Sequence, residues 1–580
     1  MANYLLVKYK MERAMTERKP KWWQSAVFYQ IYPRSFADGN GDGIGDFKGM
    51  IEKLDYLKDL GIDAIWLSPH FPSPYVDCGY DVADYRGVAP EYGTLKDFKS
   101  FLHGAHARNI RVVLDLVLNH TSDQHPWFIE SRSSKTNPKR DWYIWKSPKN
   151  GQPPTNWYST FGGSAWELDP LTNEYYYHYF FKEQPDLNWK NPQVQEAMFN
   201  EARFWLDMGV DGFRLDAVGT IFEDERYEDR PEELTQELLF KLSQEADSDE
   251  KFAEVYKCWQ EVFYRQVDQP QVHQVTRALR KMIDEYEDRV LIGETDDISF
   301  YGDADNELHL NFNFPLMRTS HITAAHVNTN QSQRLAALPA WAWPCNTFGN
   351  HDSARAFSNY GDGQNNALQA RLYLMLLLTL KGTPFLYNGE EIGMSDYAIL
   401  EPKKFRDPLS TLFYGWAKSI MGMSEGEAAM VGAMRGRDKC RTPMQWGTTA
   451  NGGFSPAGVA PWLPVNPDFS NGVNVDAQLD DPNSLLSFYK EMLQFRKQHP
   501  ALALGEYIPQ QMDNPDVLYY HRKLGSTTVY ILLNMSGVDQ KVELHLPKGA
   551  KLALATVEPL DQSGIGPLTL LPYQGAIFSD

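Results

Sequence analysis

Apolar residues along this chain follow two different periods, and the change of period divides it. Up to about residue 387, short unbroken apolar runs alternate with longer stretches whose apolar residues recur every three or four positions. The runs predict strands over 26–32 (AVFYQIY), 64–67, 111–116 (RVVLDL), 212–215, 289–293, 308–314, 346–349 and 383–387. The periodic stretches predict helices over 50–60, 96–109, 191–208 and 371–380, the first stopped by Gly61. Strands apolar on both faces and separated by helices belong to a parallel sheet with crossover connections. Eight of them predict an α/β fold, a closed (β/α)8 TIM barrel. From about 503 onward the pattern becomes strict alternation over 517–521, 528–533 and 542–546, which predicts a C-terminal antiparallel β-sandwich over 503–580.

Two stretches interrupt the alternation. Residues 121–188 are rich in Trp, Tyr, Asn, Gly and Pro and are too long for a loop, so they predict an inserted subdomain after the third strand. Residues 222–286 are charged, helix-prone and too long for one return helix, and predict a second, helical insertion. The barrel itself is assigned to 21–120 and 189–502, with 1–20 as an N-terminal extension.

Composition narrows the function. The 580 residues are 42% hydrophobic and 23% charged, with no apolar run long enough to cross a bilayer. The first 23 residues hold no sustained apolar core, so no secretory signal is expected. Cys78, Cys258, Cys345 and Cys440 are scattered without a CxxC pair, which argues against a disulfide framework or zinc site and fits a cytoplasmic protein. A formal charge of −20 disfavours nucleic acid and anionic membrane as partners but leaves neutral ligands untouched, and 13% aromatic residues suit sugar rings.

Chemistry collects at predicted strand ends. Arg214 and Asp216 are two apart and share a strand face, so the cation holds the carboxylate ionised and aimed. Other strands deliver His120, Glu294 and the pair His351-Asp352 to the same end of the barrel. Two carboxyl groups, one ionised and one protonated, are what cleavage of a glycosidic bond through a covalent intermediate requires. After the first strand, Asp38, Asn40, Asp42, the Ile44 carbonyl and Asp46 offer oxygen donors in a glycine-rich loop. They match half of a calcium loop, although Gly49 stands where its bidentate Glu would be, and predict one structural Ca2+ or Mg2+. No organic cofactor is called for.

The motifs DLVLNH (115–120), QPDLN (184–188), GFRLDAV (212–218), GETD (293–296) and GNHD (349–352) resemble those of glycoside hydrolase family 13, the α-amylase superfamily. WWQSAVFYQIYPRSF, DGNGDGIGD, DCGYDVADY and GRDKCRTPMQW are similar to its oligo-1,6-glucosidase and α-glucosidase branch. The resemblance implies Asp216 as nucleophile, Glu294 as general acid/base, and Asp352 as the group that holds the reacting sugar's hydroxyls. It implies supporting roles for Arg214, His120 and His351, ring stacking for Tyr80 and an aromatic wall at Phe180. It implies that Asp77 and Arg441 together grip O4 of the terminal sugar and close the pocket. In α-1,6-preferring relatives Val follows the nucleophile; Ala217 here therefore points to α-1,4 linkages. The expected activity is a retaining, exo-acting α-glucosidase on maltose-like or sucrose-like substrates. Glucosyl transfer and sucrose or maltose isomerisation are alternatives on the same machinery. A catalytically silent scaffold like a transporter heavy chain would need a membrane span and a broken triad. Neither is seen.

Overall fold

Strands buried on both faces can only sit in the middle of something, and here they close on themselves. The computed structural model describes residues 19–558, 560 and 565–579, so the predicted extension 1–20 lies, apart from Lys19 and Pro20, outside the described residues. The barrel strands are β1 (Phe28–Ile31), β2 (Ala64–Leu67), β3 (Arg111–Val117), β4 (Gly212–Asp216), β5 (Val290–Gly293), β6 (Leu310–Asn311), β7 (Cys345–Thr347) and β8 (Thr383–Tyr387). All pair in parallel in the order β7-β8-β1-β2-β3-β4-β5-β6. A single parallel bridge from Phe312 to Cys345 joins the last strand to the first. Phe28, Trp66, Val113, Ile292, Phe312 and Phe385 fill the interior, with Phe28 and Phe385 stacked at 4.4 Å. The lower barrel is thus a packed core and only its upper end is open to chemistry.

Three elements depart from the pattern read in the sequence. The helix predicted over 50–60 is two helices, Phe47–Glu52 and Leu54–Leu60, broken at Lys53. The strand predicted over 308–314 is reduced to Leu310–Asn311 and the bridge at Phe312, because Asn313 and Pro315 turn the chain into the helix Phe314–Met317. The stretch 222–286 contains two different structures. Its last helix, Val272–Ile283, buries Val275, Leu279 and Ile283 in the main core and is the return helix of the barrel. The helices Gln236–Glu245 and Asp249–Phe263 precede it and pack elsewhere. Leu239, Val262 and Phe263 join Trp157, Trp166, Tyr177 and Tyr179 of the 121–188 region in one apolar cluster. Phe240 packs against Ala417 and Ala428 of the helical hairpin Pro408–Ser419 and Glu425–Arg435.

Residues 121–188 form a three-stranded antiparallel sheet, with Glu174–Tyr177 between Trp145–Lys146 and Trp166–Asp169. The C-terminal strands make a five-stranded antiparallel sheet and a two-stranded one that enclose Leu532, Val542, Leu568 and Phe578. The upper end of the barrel is therefore walled by the 121–188 sheet, the two inserted helices and the 408–435 hairpin.

Candidate active site

The site is built on one buried cation. Arg214 points into the barrel from β4, where its strand partner on β3 is Asp115. Its Nη1 donates to Asp115 Oδ1 at 2.7 Å and to Asp216 Oδ1 at 2.6 Å, and its Nη2 lies 2.7 Å from Glu294 Oε2. Trp66 closes the floor: the guanidinium lies 5.1 Å over its ring, and its indole N–H donates to Asp115 Oδ2 at 3.1 Å. The side chain of Arg214 is only 2% exposed, so desolvation would be costly without these partners. Three carboxyl groups share one guanidinium, and burial raises both Asp216 and Glu294 above the ordinary carboxylate range against the pull of Arg214, helped by the charge of Glu294 on Asp216 and of Asp352 on Glu294. Like charges crowded around a single cation favour protonation of the group. Two carboxyls held side by side on one guanidinium are the elements of acid-assisted displacement, in which one gives a proton and the other attacks.

Asp216 ends its strand, and Ala217 turns the chain into the left-handed region (φ +40°). That turn aims the Ala217 N–H at Glu294 Oε2, 2.8 Å away, so the residue after one carboxylate orients the other.

A second charged group faces the first. Asp352 accepts from Arg441 Nη2 at 2.5 Å, and its Oδ2 lies 3.1 Å from His351 Nε2. Burial would raise its carboxyl, but His351 and the guanidiniums of Arg441, Arg437 and Arg214 hold it well below the usual range. His351 Nδ1 sits 2.6 Å from the Gln30 amide and its Nε2 2.6 Å from the Tyr80 hydroxyl, with the two rings stacked. Burial lowers His351 against the nearby charge of Asp352, and lowers His120 to about 3, so His120 is a neutral hydrogen-bonding group at physiological pH. His120 is fixed by Gln184, whose amide nitrogen lies 2.9 Å from His120 Nε2 and donates to Asp77 Oδ2 at 3.1 Å.

The pairing of Asp77 with Arg441 is corrected by the structure. Arg441 is fully buried and turned inward, its Nε bound to the His351 carbonyl at 2.8 Å. The partner of Asp77 is Arg437, the first arginine of the same motif: its Nη2 donates to Asp77 Oδ1 at 2.7 Å and Asp407 Oδ1 at 2.8 Å. Its Nη1 lies 3.4 Å from Asp352 Oδ1. The two arginines are four apart in a motif that resembles the family's, and only the contacts separate them.

Phe180 stands edge-on to His120 at 5.0 Å and beside Phe161, over which Arg437 lies at 5.6 Å. Asp115, Gln184, Arg437, Asp407 and Phe161 are the site residues that sequence reasoning missed. Asp115 and Gln184 lay inside the quoted motifs, whereas nothing local marks Asp407 or Phe161. The 38–46 loop lies apart from this group. Asp38 accepts from the N–H groups of Gly41 and Gly43, and Asp46 caps the helix Phe47–Glu52 by accepting from Gly49. Its donors are all hard oxygens, but among the described residues no three His, Cys, Asp or Glu side chains converge as a metal cluster.

Fold and site together define a carbohydrate-cleaving barrel with an acidic pocket. Residues 30–505 match the family model of the alpha-amylase catalytic domain. The chain is 38% identical to an oligo-1,6-glucosidase of Parageobacillus thermoglucosidasius over 96% of its length and 98% of that protein's. It is 39% identical to a probable alpha-glucosidase of Rhizobium meliloti (strain 1021), covering 98% of both. Among solved structures it is similar to an alpha-glucosyl transfer enzyme (TM-score 0.85, 36% identity) and to a trehalulose synthase mutant (TM-score 0.85, 36% identity). Each match covers 97% of this chain and 100% of the other. The chain belongs to glycoside hydrolase family 13, the alpha-amylase family, and is a glycosidase.

Proposed function

We propose that the protein is a retaining, exo-acting α-glucosidase that takes single α-glucose units from the non-reducing end of short, neutral α-glucosides. The observation that carries this reading is the shared cation: Arg214 holds Asp216 and Glu294 at the ends of adjacent strands, and the ion pair of Asp77 with Arg437 stands at the same end of the barrel, linked to Asp352. Asp216 attacks C1 while Glu294 gives its proton to the leaving oxygen, and the C1–O bond breaks. Water then attacks C1, gives its proton to Glu294, and the ester to Asp216 breaks. Asp352 and Arg437 hold hydroxyls of the bound ring, and Tyr80 and Phe180 line it. Electron pairs and protons move only between sugar, water and two carboxyls, so no organic cofactor takes part. The small side chain of Ala217 leaves room for the secondary carbon of an α-1,4 link, which favours maltose-like or sucrose-like substrates.

A second reading, glucosyl transfer or isomerisation, is favoured by the likeness to the transfer enzyme and the trehalulose synthase. It changes only what attacks the glucosyl intermediate. Asp38, Asn40, Asp42, the Ile44 carbonyl and Asp46 form the proposed seat of a structural Ca2+ or Mg2+, on the strength of their hard donors. Free Cys78, Cys258, Cys345 and Cys440 support a cytoplasmic setting, and no helix among the described residues is long and apolar enough to cross a membrane. Incubation with maltose, sucrose, trehalose and isomaltose, followed by chromatography, tests the proposal. Glucose released fastest from maltose or sucrose is expected; no release from any of the four overturns it.

A further inference from the structure

Arg496, on the helix Leu485–Gln498, is 1% exposed, and every hydrogen-bond partner of its guanidinium among the described residues is a neutral carbonyl. Its Nη1 donates to the carbonyls of Leu378 at 2.5 Å and Leu502 at 2.9 Å, and its Nη2 to that of Gly382 at 3.1 Å. Its Nε has no hydrogen-bond partner among those residues. The acid whose charge acts on it, Asp63, is already bound to Lys497 Nζ at 2.8 Å and to the Val27 N–H at 2.9 Å. A second buried guanidinium, Arg522, is likewise held by carbonyls, those of Thr379 at 2.6 Å and Gly505 at 2.8 Å. Burial pushes Arg496 down to about 10, and burial with the charge of Arg496 pushes Arg522 down to about 9.

Leu378 and Thr379 close the helix Asn366–Thr379, and a helix C-terminus offers only about half a negative charge. Two buried guanidiniums are set against it. A desolvated charge so weakly compensated is costly, and what it lacks is a counter-ion.

The space for one is present. A cavity of about 430 Å³ is lined by Arg496, Lys497, Arg111, Asp63 and Asn109. Asp63 directly precedes β2 and Arg111 opens β3, so the cavity lies at the end of the barrel opposite Asp216 and Glu294. Three cations, Arg111, Arg496 and Lys497, face one acid, Asp63, which leaves an excess of two positive charges in a chain whose formal charge is −20. Asp211, 2.8 Å from Arg111, is divided between it, His106 at 2.7 Å and Arg289 at 3.9 Å. A dianion matches that excess, and phosphate oxygens accept from guanidinium and ammonium groups alike. The cavity is larger than one phosphate group, and Ala26, Pro500 and Leu504 give the remainder an apolar wall.

We propose that this cavity binds a dianionic phosphate, free or carried as a monoester on a small sugar, with Arg496, Lys497 and Arg111 as its counter-charges and Asn109 as a neutral donor. The site is separate from the catalytic groups, so the ligand is no substrate. It bridges the first strands of the barrel and the helices Leu485–Gln498 and Pro500–Leu504 that lead into the C-terminal sheet. A ligand that binds only the folded chain at such a junction stabilises it by mass action.

The test measures melting temperature and, by calorimetry, Kd with inorganic phosphate, glucose 6-phosphate, glucose and sodium chloride at matched ionic strength. Either phosphate at 10 mM is expected to raise the melting temperature by about 3 °C or more over chloride, and the rise should grow with concentration. A larger rise with glucose 6-phosphate identifies the monoester, and a larger one with phosphate the free ion. Arg496→Gln would remove three carbonyl contacts as well, so the decisive variants lie at the cavity's outer wall. Lys497→Ala removes one cation. Asn109→Asp adds a negative charge while keeping the left-handed backbone (φ +59°) that Asp tolerates. Each should weaken phosphate binding at least tenfold and leave kcat on maltose unchanged. No rise beyond that with chloride, an equal rise with glucose and glucose 6-phosphate, or unchanged affinity in either variant would overturn the proposal.

Discussion

Arg214 is the residue on which the others depend, because one guanidinium organises three carboxyls. The pH dependence follows from that arrangement. Glu294 must be protonated to act, and burial, then the charge of Asp352, raises it, against the pull of Arg214. Activity should therefore persist above the ordinary carboxylate range and fall as pH rises through the raised Glu294 value. Glu294→Gln should remove that basic limb and should hurt maltose far more than glucosyl fluoride, which needs no proton to leave. Equal losses on both would take Glu294 out of the acid role. Ala217 supports a second prediction. Its φ of +40° is one that β-branched residues adopt only with strain, so Ala217→Val should lower the melting temperature. It should also lower the kcat/KM ratio of maltose over isomaltose by at least several-fold, since a methylene-sized change in a pocket is worth roughly 1–3 kcal/mol. A wild-type enzyme faster on isomaltose, or an unchanged ratio in the variant, would contradict the steric account.

Elements show where sequence reading succeeds and where it stops. Most of the barrel strands were legible because they are short apolar runs whose neighbours are helical, although β7 (Cys345, Asn346 and Thr347) is no such run, and the positions of Asp216 and Glu294 at or directly after strand ends were legible with them. The helix Val272–Ile283 was not separated from the insertion before it, although Pro270 marks a break in the sequence, because charge and helix propensity resume on both sides and tertiary packing is what divides them. Arg437 was missed for a related reason: its role depends on which of two nearby arginines turns inward, and that is decided by the His351 carbonyl and Asp407, both distant in sequence. The 38–46 loop ties β1 to the helix Phe47–Glu52 and supports a prediction of its own. Chelation should lower the melting temperature, and Ca2+ or Mg2+ should restore it, with a smaller effect on initial rates below the transition. No thermal shift in either direction would remove the ion from the account.

The whole molecule places a strong barrel under a site of crowded charge, and stability should record the tension. Glu390, just after β8, is buried with its Oε1 lacking a hydrogen-bond partner and lines a cavity of about 30 Å³ with Phe348, Tyr373 and Tyr489. Burial pushes its carboxyl up to about 8. Between the unfolded value, roughly 4.3, and that folded value, the native state binds a proton that the unfolded chain has released, so stability falls as pH rises. Glu390→Gln should therefore raise the melting temperature at pH 8 and lose that advantage near pH 4.5. An equal effect at both would show that Glu390 does not carry the proton. The proposed mechanism turns on one bond to Asp216 that is made and then broken, and that bond can be observed. A 5-fluoro-α-glucosyl fluoride, which forms the intermediate faster than water removes it, should label the protein once, and peptide mass spectrometry should place the label on Asp216. A label on Glu294, Asp352 or any other residue, or no label while substrate is still cleaved, would contradict the double displacement proposed here.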